Sequence, residues 1–269
     1  MSLLDRLFRR TPAAVQEARQ RLTLGSEHQL IYAIGDIHGH LDLLLELEAL
    51  IETDRLALGM ERTILLLGDL VDRGPRSAQV LDHVLMRQRS DPRYFCLAGN
   101  HEEAMLDFFT SGGSRAQWLR HGGIETLMSY GMPEEKLGGG TATARAAAAY
   151  VPDEHIAMLQ SLPVAIDTEH YFFAHAGARP GVELDAQTDH DLLWFKDGMA
   201  SQYDEFSKTI VHGHDALTES AIGHRRINVD TGAFVTGRLS SVRLLRGYRP
   251  AIIAVEQPRT GQTKSPIQL

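Results

Sequence analysis

Five short segments of the sequence place a carboxylate, an amide or an imidazole side chain beside glycine. They are GDIHG at 35–39, GDLVDRG at 68–74, GNHE at 99–102, HAG at 175–177 and GHD at 213–215. Mixed oxygen and nitrogen ligands of this kind suit manganese, iron and zinc. Glycine lets the chain turn sharply, so that side chains from separate segments can reach one point. The segments together therefore predict a metal centre.

The first two segments supply ligands of different kinds. Asp36 and His38 are separated by one residue, so a carboxylate and an imidazole can converge on one ion. Asp69 begins the second segment, and the two oxygens of a carboxylate can bridge two divalent ions about 3.5 to 4 Å apart. Taken singly, each aspartate can equally cap a turn or the following helix. The metal interpretation therefore depends on the whole set.

The other three segments add an amide and histidines. Asn100 offers a neutral oxygen ligand, although asparagine is also a common helix N-cap, and His101 beside it titrates near neutral pH. His175 and His214 each end an apolar, strand-like run, where a single histidine is usually structural. Five such segments in one chain indicate a centre of two metal ions rather than five separate structural roles.

Apolar runs before these segments predict the strands that position them. The runs are QLIYAI at 29–34, TILLL at 63–67 and RYFCLA at 93–98. Leucine at helical spacing follows at 41–58, and a further helix is predicted near 77–89. Strand, loop and helix thus alternate, which predicts an α/β sheet whose polar loops gather at the carboxyl ends of the strands.

The remaining sequence suggests a division of the chain. Leucines and arginines at 1–24 predict a basic helical arm, which we expect to pack on its own domain rather than to dock on a membrane. A single catalytic domain is expected at 25–256, and its Gly- and Ala-rich stretch at 111–160 predicts an inserted helical cap. After Pro163 most apolar runs are strand-like, and residues 257–269 predict a flexible tail.

Composition narrows the class of protein. Of the 269 residues 43% are hydrophobic and 23% are charged, and no apolar run approaches the roughly 18 residues of a membrane span. A net charge of -8 argues against binding a nucleic-acid backbone, which needs basic surfaces. The single Cys96 excludes an intrachain disulfide, and the first residues lack a secretory signal pattern, so we expect a cytoplasmic protein without stable membrane insertion.

The ordered set of five segments resembles the phosphoprotein phosphatase family of calcineurin-like metallophosphoesterases, over roughly residues 30–245. The stretches WLRHGG at 118–123 and TLMSYG at 126–131 are similar to the bacterial serine/threonine protein phosphatase branch. This resemblance implies an α/β fold of two mixed β-sheets packed as a sandwich, flanked by helices, with the helical cap as an insertion. It also implies metals at one edge of the sandwich.

The resemblance further implies which residues bind two divalent ions, with manganese expected and iron or zinc as alternatives. The first ion would be bound by Asp36, His38 and Asp69, and the second by Asp69, Asn100, His175 and His214. A hydroxide that bridges both ions would attack phosphorus in line, because two cations lower the pKa of bound water.

Roles in catalysis follow from the same resemblance. His101 matches the general acid that protonates the leaving alkoxide, and Asp72 matches the carboxylate that orients it. Arg73, together with Asn100 and Lys196, is expected to bind the substrate phosphate.

Two departures from the family pattern affect the phosphate site. Ala98 stands where many relatives have an arginine before GNHE. Lys196 stands where bacterial relatives often have another arginine, so the charge is kept but the planar fork of donors is lost. One phosphate contact is therefore absent or supplied from elsewhere.

Three functions are compatible with this site. The resemblance favours hydrolysis of phosphoserine or phosphothreonine in proteins. The alternative is hydrolysis of a dinucleoside polyphosphate such as diadenosine tetraphosphate, with Arg115, Trp118 and Arg120 of the cap stacking and pairing with the nucleotide, although Trp118 can equally anchor the cap. A catalytically silent binding protein is disfavoured, because every expected ligand is present.

Overall fold

Two β-sheets packed face to face, with helices outside them, form the fold. The computed structural model describes residues 18–196 and 200–257. One sheet has the strand order β1-β5-β6-β7-β9-β8 and the other has the order β11-β10-β2-β3-β4. The strands are β1 Arg21–Thr23, β2 Leu30–Ile34, β3 Thr63–Leu66, β4 Tyr94–Cys96, β5 Ala165–Asp167, β6 Tyr171–Ala174, β7 Thr209–His212, β8 Ala221–Ile222, β9 Arg226–Asn228, β10 Arg238–Leu245 and β11 Ala251–Glu256. The predicted α/β sandwich is confirmed.

Helices connect the first strands and cover the outer faces. They are α1 Leu41–Leu58, α2 Ser77–Ser90, α3 Asn100–Thr110, α4 Ile124–Ser129, α5 Gly140–Ala147, α6 Asp153–Ser161, α7 Asp189–Trp194 and α8 Ala233–Thr236. Strands β2, β3 and β4 are parallel, and α1, α2 and α3 follow them in turn. The three predicted strand, loop and helix units are therefore present, and their loops leave the carboxyl ends of the strands at one edge.

The central strand β2 is buried on both faces. Its residues Ile31 and Ala33 pack between the sheets with Leu65, Phe173 and Val211, whereas the alternate side chains of the strand pack under the helices. A strand covered on both sides reads as a continuous apolar run instead of alternating with polar residues. This explains why QLIYAI contains almost no polar side chain.

Residues 111–160 are helical throughout their regular structure. They contain a π-helical turn at Leu119–Gly123, then α4, a short 3₁₀ turn at Glu134–Lys136, α5 and α6. Trp118 and Leu127 belong to the same apolar core as α2 and α3. The stretch therefore packs directly onto the helices that flank the site, and its description as an inserted cap stays a prediction.

The ends of the chain are described only in part. The predicted helical arm falls mainly on residues 1–17, outside the described residues. Its last part is not helical, because Arg21–Thr23 form β1 and pair in parallel with β5. The Arg19 guanidinium also donates to the carbonyls of Leu159 and Leu162, so this segment is tied to the end of α6. The predicted flexible tail lies almost entirely beyond residue 257, outside the described residues.

Within residues 18–196 and 200–257, no helix combines the length and apolar character needed to span a bilayer.

Candidate metal centre

The five predicted segments meet at one edge of the sandwich. Each follows a strand: GDIHG follows β2, GDLVDRG follows β3, GNHE follows β4, HAG follows β6 and GHD follows β7. Close backbone packing brings the loops together, since a Cβ on Gly68 would lie 2.6 Å from the backbone nitrogen of Gly99. Gly68 also has a φ of 96°, which glycine adopts without strain. Glycine at 68 therefore allows the second and third loops to touch.

Unusual backbone geometry is concentrated in these loops. Among the residues that the structure describes, the non-glycine residues with positive φ are His38, Asp69, Asp72, Arg73 and His214. Each left-handed non-glycine residue costs on the order of 1–3 kcal/mol and persists only where its surroundings fix it. All five are predicted site residues, so the fold tolerates this cost where the side chains have to converge.

Asp69 lies at the middle of the cluster with its two oxygens turned to different partners. Its Oδ2 lies 3.5 Å from Nε2 of His38 and 3.9 Å from Nε2 of His101. Its Oδ1 lies 3.4 Å from Nε2 of His175. Two groups of possible ligand atoms therefore share this carboxylate, one with His38 and His101 and the other with His175 and His214. This is the arrangement expected of a bridging ligand.

Backbone carbonyls fix the protonation of two of the histidines. Nδ1 of His38 lies 2.8 Å from the carbonyl oxygen of Val71, and Nδ1 of His175 lies 2.9 Å from that of Leu67. A carbonyl only accepts, so each Nδ1 carries the proton and each Nε2 presents a lone pair to the cluster. Such an outer hydrogen bond is common for histidines that bind metals.

Lone pairs of Asn100 and His175 point at each other, an arrangement that a cation between them would stabilise. Nε2 of His175 lies 2.8 Å from Oδ1 of Asn100, yet neither atom carries a hydrogen to donate. Nδ1 of His214 lies 3.1 Å from the same oxygen, and its Nε2 is buried without a hydrogen-bond partner in the described part of the chain. Burial lowers the pKa of His175 to about 3 and that of His214 to about 2, so both rings are neutral, as metal ligands must be. The donor set therefore fits divalent cations.

Asp36 is buried beside this cluster rather than within either close group. Both of its carboxylate oxygens accept from the backbone N–H of His214 at 3.2 Å. Gly213 packs directly on it, since a Cβ there would lie 2.1 Å from Oδ1 of Asp36. Burial, followed by the charges of Asp230 and Asp69, raises the pKa of Asp36. Binding of a cation would remove this cost, which is consistent with the predicted ligand role.

His101 and Asp72 form a buried hydrogen-bonded pair. Nδ1 of His101 lies 2.6 Å from Oδ2 of Asp72. The indole Nε1–H of Trp118 donates to the same carboxylate at 2.8 Å, and the Thr126 hydroxyl donates at 2.7 Å. Burial raises the pKa of Asp72 to about 8, while these two donors act in the opposite direction. The carboxylate is thus held from three sides, and it turns Nε2 of His101 toward the cluster.

The structure shows where the side chain of Trp118 lies, which the sequence left open. Its side chain is only 3% exposed and packs against Phe108 and Phe109. It therefore anchors the stretch 111–160 to the core, and the alternative in which it stacks on a nucleotide is wrong. The exposed Arg115 pairs with Asp107 on α3.

Of the residues predicted to bind phosphate, Arg73 contacts the centre directly, whereas Lys196 is exposed. The Arg73 guanidinium donates to Nε2 of His38 and to Nε2 of His101, each at 2.9 Å. Lys196 is exposed. The low pKa of His214 is caused mainly by burial, then by His175, and then by the positive charge of Lys196. Ala98 is fully buried, so the position of the missing arginine belongs to the core here.

Three further histidine and cysteine side chains take no part in the metal centre. His212 is buried with Nε2 accepting from Nε of Arg226 at 2.7 Å, so it does not face the cluster. Cys96 is buried in the core of the helical side, and His121 is exposed in the cap.

Glu102 is a site residue that the sequence analysis missed. Its fully buried carboxylate accepts from the backbone N–H groups of Gly99 at 2.7 Å, and of Asp69 and Leu70 at 2.8 Å each. It therefore fixes the loop that carries Asp69. Its position as the last residue of GNHE was the available signal, but an acidic residue in the first turn of a helix is usually explained by the helix dipole.

Replacing Glu102 with glutamine should lower the free energy of unfolding by about 2–4 kcal/mol, because an amide NH₂ would face backbone donors and leave them unpaired. Denaturant unfolding of the metal-free protein measures this directly. Glu135→Gln makes the same chemical change at an exposed position and should have almost no effect. Equal stability of the two variants would contradict the loop-fixing role.

Comparison with known proteins identifies the family of the fold. The sequence model of the family described as calcineurin-like phosphoesterase matches residues 30–254. The asymmetrical bis(5'-nucleosyl)-tetraphosphatase PrpE of Anoxybacillus flavithermus is 26% identical over 230 residues, which cover 78% of this chain and 88% of that protein.

Solved structures agree on the fold. The crystal structure of a candidate diadenosine tetraphosphatase has a TM-score of 0.55 at 23% identity and covers 88% of this chain and 97% of its own. A protein serine/threonine phosphatase from Saccharomyces cerevisiae has a TM-score of 0.60 at 17% identity and covers 95% of this chain and 87% of its own. At these identities the likeness concerns the fold alone.

Proposed function

The chain belongs to the calcineurin-like phosphoesterase family, and on that premise we propose that it hydrolyses dinucleoside polyphosphates such as diadenosine tetraphosphate. The family and the buried donor set make it a metal-dependent phosphoesterase. The proposal concerns the substrate, the identity of the metals and the role of each residue.

One observation carries the choice of substrate. The similarity to a bis(5'-nucleosyl)-tetraphosphatase extends over 78% of this chain and 88% of that relative. The sequence analysis favoured phosphoproteins instead. That reading has support only from structural neighbours of the phosphatase type at 17% identity, which speak for the fold. The dinucleotide is therefore the better-supported substrate.

We assign the metal ligands as the sequence analysis expected. Asp36, His38 and Asp69 would hold one cation, and Asp69, Asn100, His175 and His214 would hold the other. His101 also lies near Asp69, and in the family pattern its position is that of the general acid, with Asp72 as the carboxylate that orients it. We therefore assign His101 to proton transfer. Two divalent cations held here, with manganese proposed, would lower the pKa of a bound water and neutralise the oxygens of the phosphate.

The chain's own residues supply the rest of the chemistry. Arg73 directs N–H donors at Nε2 of His38 and of His101; a cation bound by His38 would displace the first contact and free the planar fork to hold non-bridging phosphate oxygens. Lys196 would add a point charge at the rim, where the long polyphosphate continues. Nε2 of His101 points into the site and accepts from Arg73 here; once Arg73 turns to the phosphate, a protonated Nε2 could donate to the leaving oxygen while Asp72 keeps the ring oriented. The reaction needs no covalent enzyme intermediate.

A substrate panel tests the proposal. The manganese-loaded protein is expected to cleave diadenosine tetraphosphate at least about tenfold more efficiently, in kcat/KM, than phosphoserine, phosphothreonine or phosphotyrosine peptides. Chromatography of the products identifies the reaction, because asymmetric cleavage gives a nucleoside monophosphate and a triphosphate, and symmetric cleavage gives two diphosphates.

Other results of the panel lead to other functions. Preference for the phosphoserine or phosphothreonine peptides would replace the proposal with a protein phosphatase. Binding of metal without turnover of any of these esters would indicate the silent binding protein.

A further inference from the structure

Phe234 is an aromatic side chain that remains 37% exposed at the rim of the metal centre. Its ring meets the ring of His38 edge to face, with centroids 5.3 Å apart. The Arg73 guanidinium carbon lies 4.2 Å from the centroid of the Phe234 ring. The side chain thus contacts both a predicted metal ligand and the predicted phosphate-binding arginine.

The backbone holds this ring in place. Phe234 lies on α8, a single turn between Gly232 and Gly237, which both have left-handed φ values of 62° and 70°. The N–H of Gly232 donates to the buried carboxylate of Asp230 at 2.8 Å, and the Thr236 hydroxyl donates to the carbonyl of Thr231 at 2.7 Å. A turn fixed in this way keeps a large apolar ring partly in water, which costs hydrophobic free energy unless something covers it.

Other aromatic side chains do not serve this position. Trp118 is buried and donates to Asp72. Within residues 18–196 and 200–257, the other exposed large aromatic side chain is Tyr248, which lies beside a different cavity with His28 and His170. Phe234 is therefore the exposed aromatic ring at the site.

We infer that Phe234 is the stacking surface for the nucleobase of the nucleoside monophosphate that is cleaved from the dinucleotide. This inference rests on the proposed function. A nucleobase lies one ribose away from its innermost phosphate, and the Phe234 ring lies against Arg73, the residue proposed to bind that phosphate. Every base has a π-face that can stack on an aromatic ring, so this surface selects nucleotides without selecting a particular base.

The position of Arg73 supports the same arrangement. Its guanidinium packs on the ring of Phe234 while its N–H groups point to His38 and His101. A cation on an aromatic face is stabilised and oriented by that face. Phe234 would thus orient the arginine that binds the phosphate and contact the base attached to that phosphate, which makes it a substrate-positioning residue.

The experiment compares two ligands that share the ribose 5-phosphate group, of which only one carries a base. Adenosine monophosphate and ribose 5-phosphate are titrated calorimetrically into the manganese-loaded protein, and the ratio of their dissociation constants measures the contribution of the base. The wild-type protein should bind adenosine monophosphate about tenfold more tightly or better, in line with typical base stacking on an aromatic side chain. Phe234→Leu should reduce the ratio to near one, and Phe234→Tyr should retain it.

The neighbouring residue provides the control. Val235 is 75% exposed on the same turn, and Val235→Ala should leave the ratio at the wild-type value. Cleavage of diadenosine tetraphosphate by the wild-type protein is measured in parallel. If the dinucleotide is cleaved but Phe234→Leu keeps the wild-type ratio, the inference is overturned and the proposed function stands. If the wild-type protein does not cleave the dinucleotide, the proposed function is overturned and the inference with it.

Discussion

Asp69→Asn is expected to reduce kcat on every phosphoester substrate by at least about 1000-fold. Asparagine keeps one oxygen but replaces the other with an NH₂ group, which cannot bind a cation. It therefore cannot offer one ligand atom on the His38 side and another on the His175 side. Two cations that neutralise the charge of the transition state stabilise it by several kcal/mol. Each 1.36 kcal/mol changes the rate by about a factor of ten. Steady-state kinetics with saturating manganese measure the loss.

Metal content shows whether the loss has this cause. Elemental analysis of the dialysed protein should give two bound metals per chain for the wild type and fewer than two for Asp69→Asn. The variant should still fold, because it removes a buried carboxylate that is costly to keep charged. Burial raises the pKa of this carboxyl group to about 6. Asp42→Asn makes the same change at an exposed position on α1 and should keep both activity and metal. A fully metallated and active Asp69→Asn protein would exclude the bridging role.

The sequence identified candidate metal ligands that converge in the structure, because metal chemistry limits the residue types that can serve. A bridging ligand requires a carboxylate, and neutral nitrogen ligands require histidine, so Asp69, His175 and His214 were recognisable by residue type. Their convergence followed from the strand order, since loops at the carboxyl ends of neighbouring strands lie at one edge of a sheet. Apolar runs and helical spacing were sufficient to predict the strands, the helices and this edge of the sheet.

The supporting residues were not predictable, because their partners are distant backbone groups or buried surfaces. Glu102 accepts from N–H groups more than 30 residues earlier in the chain, a relation that no local pattern reveals. Trp118 has its function only because the cap packs so that its indole reaches Asp72. The strand Arg21–Thr23 depends on pairing with β5, far along the chain, which overrides the expected helix.

Phe234 shows the same limit at the rim of the site. In the sequence it lies between Ala233 and Val235 in a short run near the C-terminal end, where an apolar residue predicts burial. Only the turn between two left-handed glycines places its ring beside Arg73. A residue proposed to contact the substrate can therefore be ordinary in type, whereas few residue types can bind a metal ion.

His101→Gln is expected to lower kcat by an amount that depends on the leaving group. General acid catalysis typically contributes 10²–10⁴-fold, and it matters most when the departing oxygen is strongly basic. An alkoxide from β-glycerophosphate needs the proton, so that substrate should lose about 100-fold or more. The phosphate oxygen that leaves from diadenosine tetraphosphate and the phenolate of p-nitrophenyl phosphate are weaker bases, so their losses should be clearly smaller.

This dependence separates proton donation from metal binding at His101, whose Nε2 lies 3.9 Å from Oδ2 of Asp69. A lost metal ligand would lower the rates of all three substrates by a similar factor, because the metals would activate the water and neutralise the phosphate oxygens whatever the leaving group. His121→Gln removes an exposed imidazole from the cap and should change none of the rates. An equal loss on the three substrates would therefore move His101 from the proton donor to the metal shell, and Asp72 would then orient a ligand rather than an acid.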